Sequence, residues 1–183
     1  MKKKVFVSTG FFKKDKQINI LKNFINNNIK SIEFSGGKYI NQKQINEIKL
    51  LNNKKLKIRI HNYFPPPKSK FVINLASKKK TIVIKSIRQI KKSILLAREL
   101  NDKFFSFHAG FRFDPMPEHL GSKLKKIRLI DKDLAENIFL KNLILLNNFA
   151  KKNNIKLLIE NNVINKKNLK IFGENPFLLT KPD

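Results

Sequence analysis

Three residues that can coordinate a metal ion or move a proton each follow a short apolar run. His61 follows Leu56-Lys57-Ile58-Arg59-Ile60, His108 follows Phe104-Phe105-Ser106-Phe107, and Glu160 follows Lys156-Leu157-Leu158-Ile159. Glu33 lies near the end of a further run, Ser31-Ile32-Glu33-Phe34. Two imidazoles and a carboxylate suit a divalent cation such as zinc or manganese. The same groups can hold a polar substrate or shuttle protons. Taken singly, each is as well explained by a polar group satisfied by nearby backbone. Three placed alike at successive run ends favour a shared site. The third histidine of the chain, His119, lies in a long connection.

Amides and an aromatic ring flank these positions. Asn62 and Tyr63 follow His61, Asn161 and Asn162 follow Glu160, and Asn74 sits within Phe71-Val72-Ile73-Asn74-Leu75-Ala76-Ser77. Amides orient hydroxyl-rich ligands, although in an Asn-rich chain each carries little weight alone. Ala109-Gly110 after His108 permits close backbone approach, or is simply a tight strand exit.

The elements that must position these residues show in the apolar pattern. The four runs above, with Lys4-Val5-Phe6-Val7-Ser8, are rich in β-branched, aromatic or Leu residues and bounded by polar residues or Gly, as buried parallel strands are. Between them lie segments of helical period. Ile18, Leu21 and Ile25 share one face. So do Ile87, Ile90, Ile94 and Ala97, and a third stripe joins Leu134, Ile138, Leu145 and Phe149. A weaker helix is expected from about Gln42 to Leu51 around Ile45 and Ile48. The β-α alternation predicts a parallel sheet with right-handed crossovers, in one domain over 1–183. Two long connections, Asn62 to about Lys80 and Ala109 to about Lys132 (with Gly121), follow strands and precede helices, the functional end of such folds.

Composition narrows the class. The chain has no cysteine, which excludes disulfides and cysteine-based zinc sites. No apolar stretch approaches the ~20 residues of a membrane span, so a soluble cytoplasmic protein is expected. There are 40 Lys+Arg against 13 Asp+Glu, a net charge of +27. Such a balance suggests nucleic acid or an anionic surface. The excess is nearly all Lys, however, and travels with Asn and Ile, the residues of A/T-rich codons. The arginines are Arg59, Arg88, Arg98, Arg112 and Arg128, few for a dedicated nucleic-acid site. A solvated basic surface is the expectation, with nucleic acid the less favoured partner.

Four segments carry a family resemblance: Ile60-His61-Asn62-Tyr63-Phe64-Pro65-Pro66, Phe71 to Ser77, Phe107-His108-Ala109-Gly110-Phe111, and Leu158-Ile159-Glu160-Asn161-Asn162. With Ala97-Arg98-Glu99-Leu100 and Phe149-Ala150, they resemble the xylose-isomerase-like barrel superfamily. That group joins sugar and sugar-phosphate isomerases and epimerases with abasic-site nucleases of the endonuclease IV type. The resemblance implies a (β/α)8 TIM-barrel type of α/β fold. It assigns Glu160 to the metal-binding glutamate after the fifth strand. It assigns His61 and His108 to histidines that bind zinc in the nuclease branch and contact substrate in many isomerases. The family's other ligands lie on strands six to eight. The chain is therefore expected to be truncated after the fifth strand, ending at Leu178 to Asp183 where the fifth helix should begin.

The resemblance thus implies a sugar or sugar-phosphate isomerase or epimerase. Its divalent metal (Zn, Mn, Mg or Co) would be held by His61, His108 and Glu160, with Glu160 and His108 catalytic. His61, Asn62, Tyr63, Asn74, Asn161 and Glu33 would bind substrate. The alternatives are an abasic-site nuclease and a non-catalytic barrel portion. Self-association, or a partner covering the open strand edges, is a further expectation.

Overall fold

A computed structural model of the chain describes residues 5–12, 15–52, 56–119, 124 and 126–180. Lys4 and Gly121, named above, lie outside them. The elements are β1 (Val7–Ser8), α1 (Gln17–Asn26), β2 (Ser31–Ser35), α2 (Gln42–Asn52), β3 (Lys57–His61), α3 (Lys80–Glu99), β4 (Phe104–His108), α4 (Lys132–Lys152), β5 (Lys156–Glu160) and α5 (Lys166–Phe172). Single 3-10 turns occupy Thr9–Phe11 and Pro117–His119. The strands form one parallel sheet in chain order, β1-β2-β3-β4-β5, which is a partial TIM barrel. No helix among the described residues is long and apolar enough to cross a membrane.

Two compact units divide the chain. The first comprises Met1–Lys68, Ile90–Ser106 and Ala150–Leu158. Its core follows from strand alternation. Ile32 and Phe34 of β2, Ile58 and Ile60 of β3 and Phe105 of β4 are buried. Glu33, Ser35, Arg59 and His61, one residue out of phase, are half-buried. Ile20, Leu21 and Phe24 of α1, Ile45 and Ile48 of α2, and Ile90, Ile94 and Ala97 of α3 add to the apolar core.

Asparagine terminates three of these helices. Asn28, Asn101 and Asn154 take positive φ (60°, 59° and 57°) just past α1, α3 and α4. The next residue then donates its N–H five residues back: Ile29 to Phe24, Asp102 to Ala97 and Ile155 to Ala150. Asn tolerates the left-handed region, so it does here what Gly commonly does at a helix end.

The second unit comprises Ser69–Gln89, Phe107–Phe149 and Ile159–Asp183. The segment Val72 to Ser77 has no regular structure yet is buried throughout. Phe111, Phe113, Phe172 and Phe177 cluster with ring centroids 5.6–6.5 Å apart. Arg112, noted in the sequence only as one of five arginines, is 6% exposed. It ties this unit together, donating from Nε to the Ile130 carbonyl and from Nη1 to Glu174 Oε2 (2.6 Å) and the Asn175 carbonyl.

Two expectations need correction. The α4 stripe is one residue out of phase: Ala135, Phe139, Leu146 and Ala150 are buried, whereas Leu134 and Leu145 are exposed. A helix also already follows β5, well before Leu178. Asn165 caps α5 by accepting the Asn168 N–H at 2.7 Å, and Gly173, at φ 73°, closes it.

Candidate functional site

His61 is the last residue of β3 and stands in register with Ser106 of β4. Its Nδ1 lies 2.9 Å from Ser106 Oγ. The next residue, Asn62, takes φ 47° and donates its N–H to the Ser106 carbonyl at 2.7 Å. The Phe64 N–H then bonds back to the His61 carbonyl, so the chain leaves the strand in a tight turn. Asn62 and Tyr63 are half-buried in that turn. No sequence signal singled out Ser106, although its place two residues before His108 on one strand puts both on one face.

His108 ends β4 and Glu160 ends β5. His108 Nδ1 lies 3.7 Å from Glu160 Oε2, and the Ala109 N–H donates to the Glu160 carbonyl at 3.2 Å. Both side chains are over two-fifths exposed, so the pair adds little to stability. Its interest is chemical: an imidazole and a carboxylate within one ligand's reach at adjacent strand ends. His108 and Glu160 offer one nitrogen and one oxygen donor to an ion, and His61 carries a further imidazole at the end of β3. Imidazole nitrogens with a carboxylate oxygen fit zinc, manganese or cobalt, and the carboxylate suits magnesium.

Glu33 stands in register between Ser8 of β1 and Arg59 of β3, half-buried. Arg59 itself lies over the Phe6 ring, with its guanidinium carbon 4.3 Å from the centroid. Asn161 is exposed just past β5.

Two amides have structural duties instead. Asn74 is 1% exposed. Its Oδ1 accepts from the Ala76 and Phe111 N–H groups, and its Nδ2 donates to the Phe113 carbonyl and Asp114 Oδ1. Three of the amide's bonds go to loop backbone and one to the Asp114 side chain, so it holds the loop in place. Asn162 likewise donates to the carbonyls of Ala109, Gly110 and Leu178. Gly110 does permit a close approach, and Asn74 is what approaches it. His119 accepts the Met116 N–H at Nδ1, 3.2 Å, within its own turn.

The family described as xylose isomerase-like TIM barrel matches residues 28–172. The chain belongs to this family. No curated protein matches it in sequence. Solved structures do match. A D-tagatose 3-epimerase-like protein is 18% identical, with TM-score 0.59 over 82% of this chain and 54% of its own. The 3-keto-D-glucoside 4-epimerase of E. coli is 12% identical, with TM-score 0.60 over 85% and 55%. The D-psicose 3-epimerase of Clostridium cellulolyticum H10 is 11% identical, with TM-score 0.57 over 81% and 48%. The xylose isomerase-like chain here thus spans about half the length of the structures it matches.

Proposed function

We propose that the chain serves a divalent-metal-dependent isomerase or epimerase of sugars or sugar phosphates. The observation that carries this reading is the His108–Glu160 pair, 3.7 Å apart at the ends of adjacent parallel strands. The epimerases among the structural neighbours support it. His61, His108 and Glu160 would hold the ion. Bound there, a divalent metal supplies a Lewis acid that draws charge from a sugar's carbonyl and hydroxyl oxygens and acidifies the adjoining C–H. Glu160 takes up that proton and His108 assists its transfer. Asn62, Tyr63, Asn161 and Glu33 orient the sugar hydroxyls. The same reading places the chain in the cytoplasm, with self-association or a partner at the sheet edges β1 and β5.

The test is solvent exchange. Protein loaded with Mn, Co, Zn or Mg is incubated with ketoses and their phosphates in heavy water. Deuterium should enter at the carbon beside the carbonyl, and Glu160→Gln should abolish this. Absence of exchange with every metal and sugar would remove the reading.

The net charge of +27 favours one second reading, an abasic-site nuclease. Metal-dependent cleavage of an abasic duplex, with binding that weakens steeply as salt rises, would establish it. Intact duplex and no binding would end it.

A further inference from the structure

We propose that Ser106 is a positioning residue for His61. Its hydroxyl accepts the Nδ1 proton and so fixes the imidazole as the Nδ1–H tautomer, with Nε2 as the coordinating nitrogen. The inference rests on the reading above that His61 meets a metal. Its geometry stands on Ser106 itself. Oγ lies 2.9 Å from Nδ1, and the β3–β4 register sets His61 opposite Ser106, so the bond is built into strand pairing and does not depend on a loop. The Ser106 carbonyl also accepts the Asn62 N–H at 2.7 Å, which holds the backbone just past the histidine. Ser106 is 6% exposed, so water competes little for its hydroxyl.

The chemistry supplies the direction. A histidine coordinates a metal through an unprotonated nitrogen, and the other nitrogen's hydrogen bond decides which one that is. An unheld imidazole prefers its proton on Nε2, the form that cannot coordinate there. A hydroxyl can donate to a bare Nδ1 or accept from Nδ1–H, and by accepting it favours the form with Nε2 bare. It does so without adding charge, unlike the carboxylate that stands behind many metal-bound histidines.

The test has two independent arms. In the first, nitrogen-15 spectra of histidine-labelled, metal-free protein are recorded in mildly alkaline solution, with His61 assigned by its loss in His61→Gln. Nδ1 should show the signature of a protonated nitrogen and Nε2 that of a bare one. Ser106→Ala should move the proton to Nε2, and Ser106→Thr should return it. In the second arm, Ser106→Ala should weaken zinc binding about 10- to 100-fold with unchanged circular dichroism, and Ser106→Thr should restore it. Wild-type His61 protonated on Nε2, or Ser106→Ala binding zinc as tightly as wild type, would overturn the proposal. If wild type binds no metal at all, the functional reading fails, while the first arm still decides the tautomer.

Discussion

The amide oxygen of Asn74 occupies space that a side chain on Gly110 would need: a β-carbon there would lie 3.0 Å from Asn74 Oδ1 and 3.2 Å from Ala76 Cβ. The loop after β3 and the exit of β4 are thus fitted to each other through one amide. Asn74→Ala would strand the buried Ala76 N–H, the part-buried Phe111 N–H and the Phe113 carbonyl. Each such loss costs on the order of 1 kcal/mol, so urea unfolding should show a drop of about 3 kcal/mol. Loss of activity with unchanged stability would instead return Asn74 to the substrate site.

Glu160→Gln keeps the shape of the side chain and removes its charge. The Glu160 side chain is about two-fifths exposed and its contact with His108 is long, so stability should change by less than about 1 kcal/mol. Metal affinity should fall by at least about tenfold, measured by calorimetry with zinc, because a neutral amide is a much poorer ligand for a hard or borderline cation. A large stability loss with intact metal binding would make Glu160 a structural residue.

β2 and β3 were legible because apolar residues alternate with half-buried polar ones, as Ile58 and Ile60 do with Arg59 and His61, and β4 and β5 because short apolar runs are bounded by polar residues. The strand-end placement of His61, His108 and Glu160 came from the ends of these runs. The bonding role of Asn74 was not legible, because an amide's partners depend on the loop that folds over it, and sequence spacing holds no record of that. Ser106 went unnoticed because its role exists only in the register of β3 against β4. The phase of α4 was missed for another reason. Leu134, Ile138, Leu140, Leu143, Ile144, Leu145 and Leu146 set apolar side chains on more than one face, so the apolar period is blurred. Small residues settle it: Ala135 and Ala150 are fully buried, on the face that packs inward.

That phase is testable at neighbouring positions. Phe139 is 3% exposed and Leu140 is 50% exposed. Phe139→Ala should cost about 3–5 kcal/mol by leaving a cavity, whereas Leu140→Ala should stay within about 0.5 kcal/mol. Equal costs, read from denaturant midpoints, would mean that another surface covers Leu140.

Asp102 gives stability a defined pH dependence. Burial raises its carboxyl above the ordinary 3.8, against the opposing pull of the Phe104 and Lys103 N–H groups and Arg59. The folded state therefore binds the proton more readily than the unfolded chain. The resulting stabilisation is fully present below 3.8 and is lost as pH rises through the raised value. Asp102→Asn can keep both N–H bonds through its oxygen while removing the buried charge. It should be more stable than wild type at neutral pH, with the advantage vanishing below 3.8. A constant difference across the pH range, measured by chemical unfolding, would assign the effect to packing.

Gln17 poses the opposite case, a buried polar group without compensation. It opens α1, is 1% exposed, and neither amide atom has a hydrogen-bond partner among the described residues. Its amide nitrogen lies against Gly37, whose φ of 106° and lack of a β-carbon make room for it. An unpaired buried amide costs roughly 1–3 kcal/mol. Gln17→Leu fills similar space without polar atoms and should raise stability by about 1–2 kcal/mol. Gly37→Ala, which adds a methyl group where the amide sits and strains the backbone, should lower it. A less stable Gln17→Leu, measured by the urea midpoint, would show that the amide does find a partner in the folded protein.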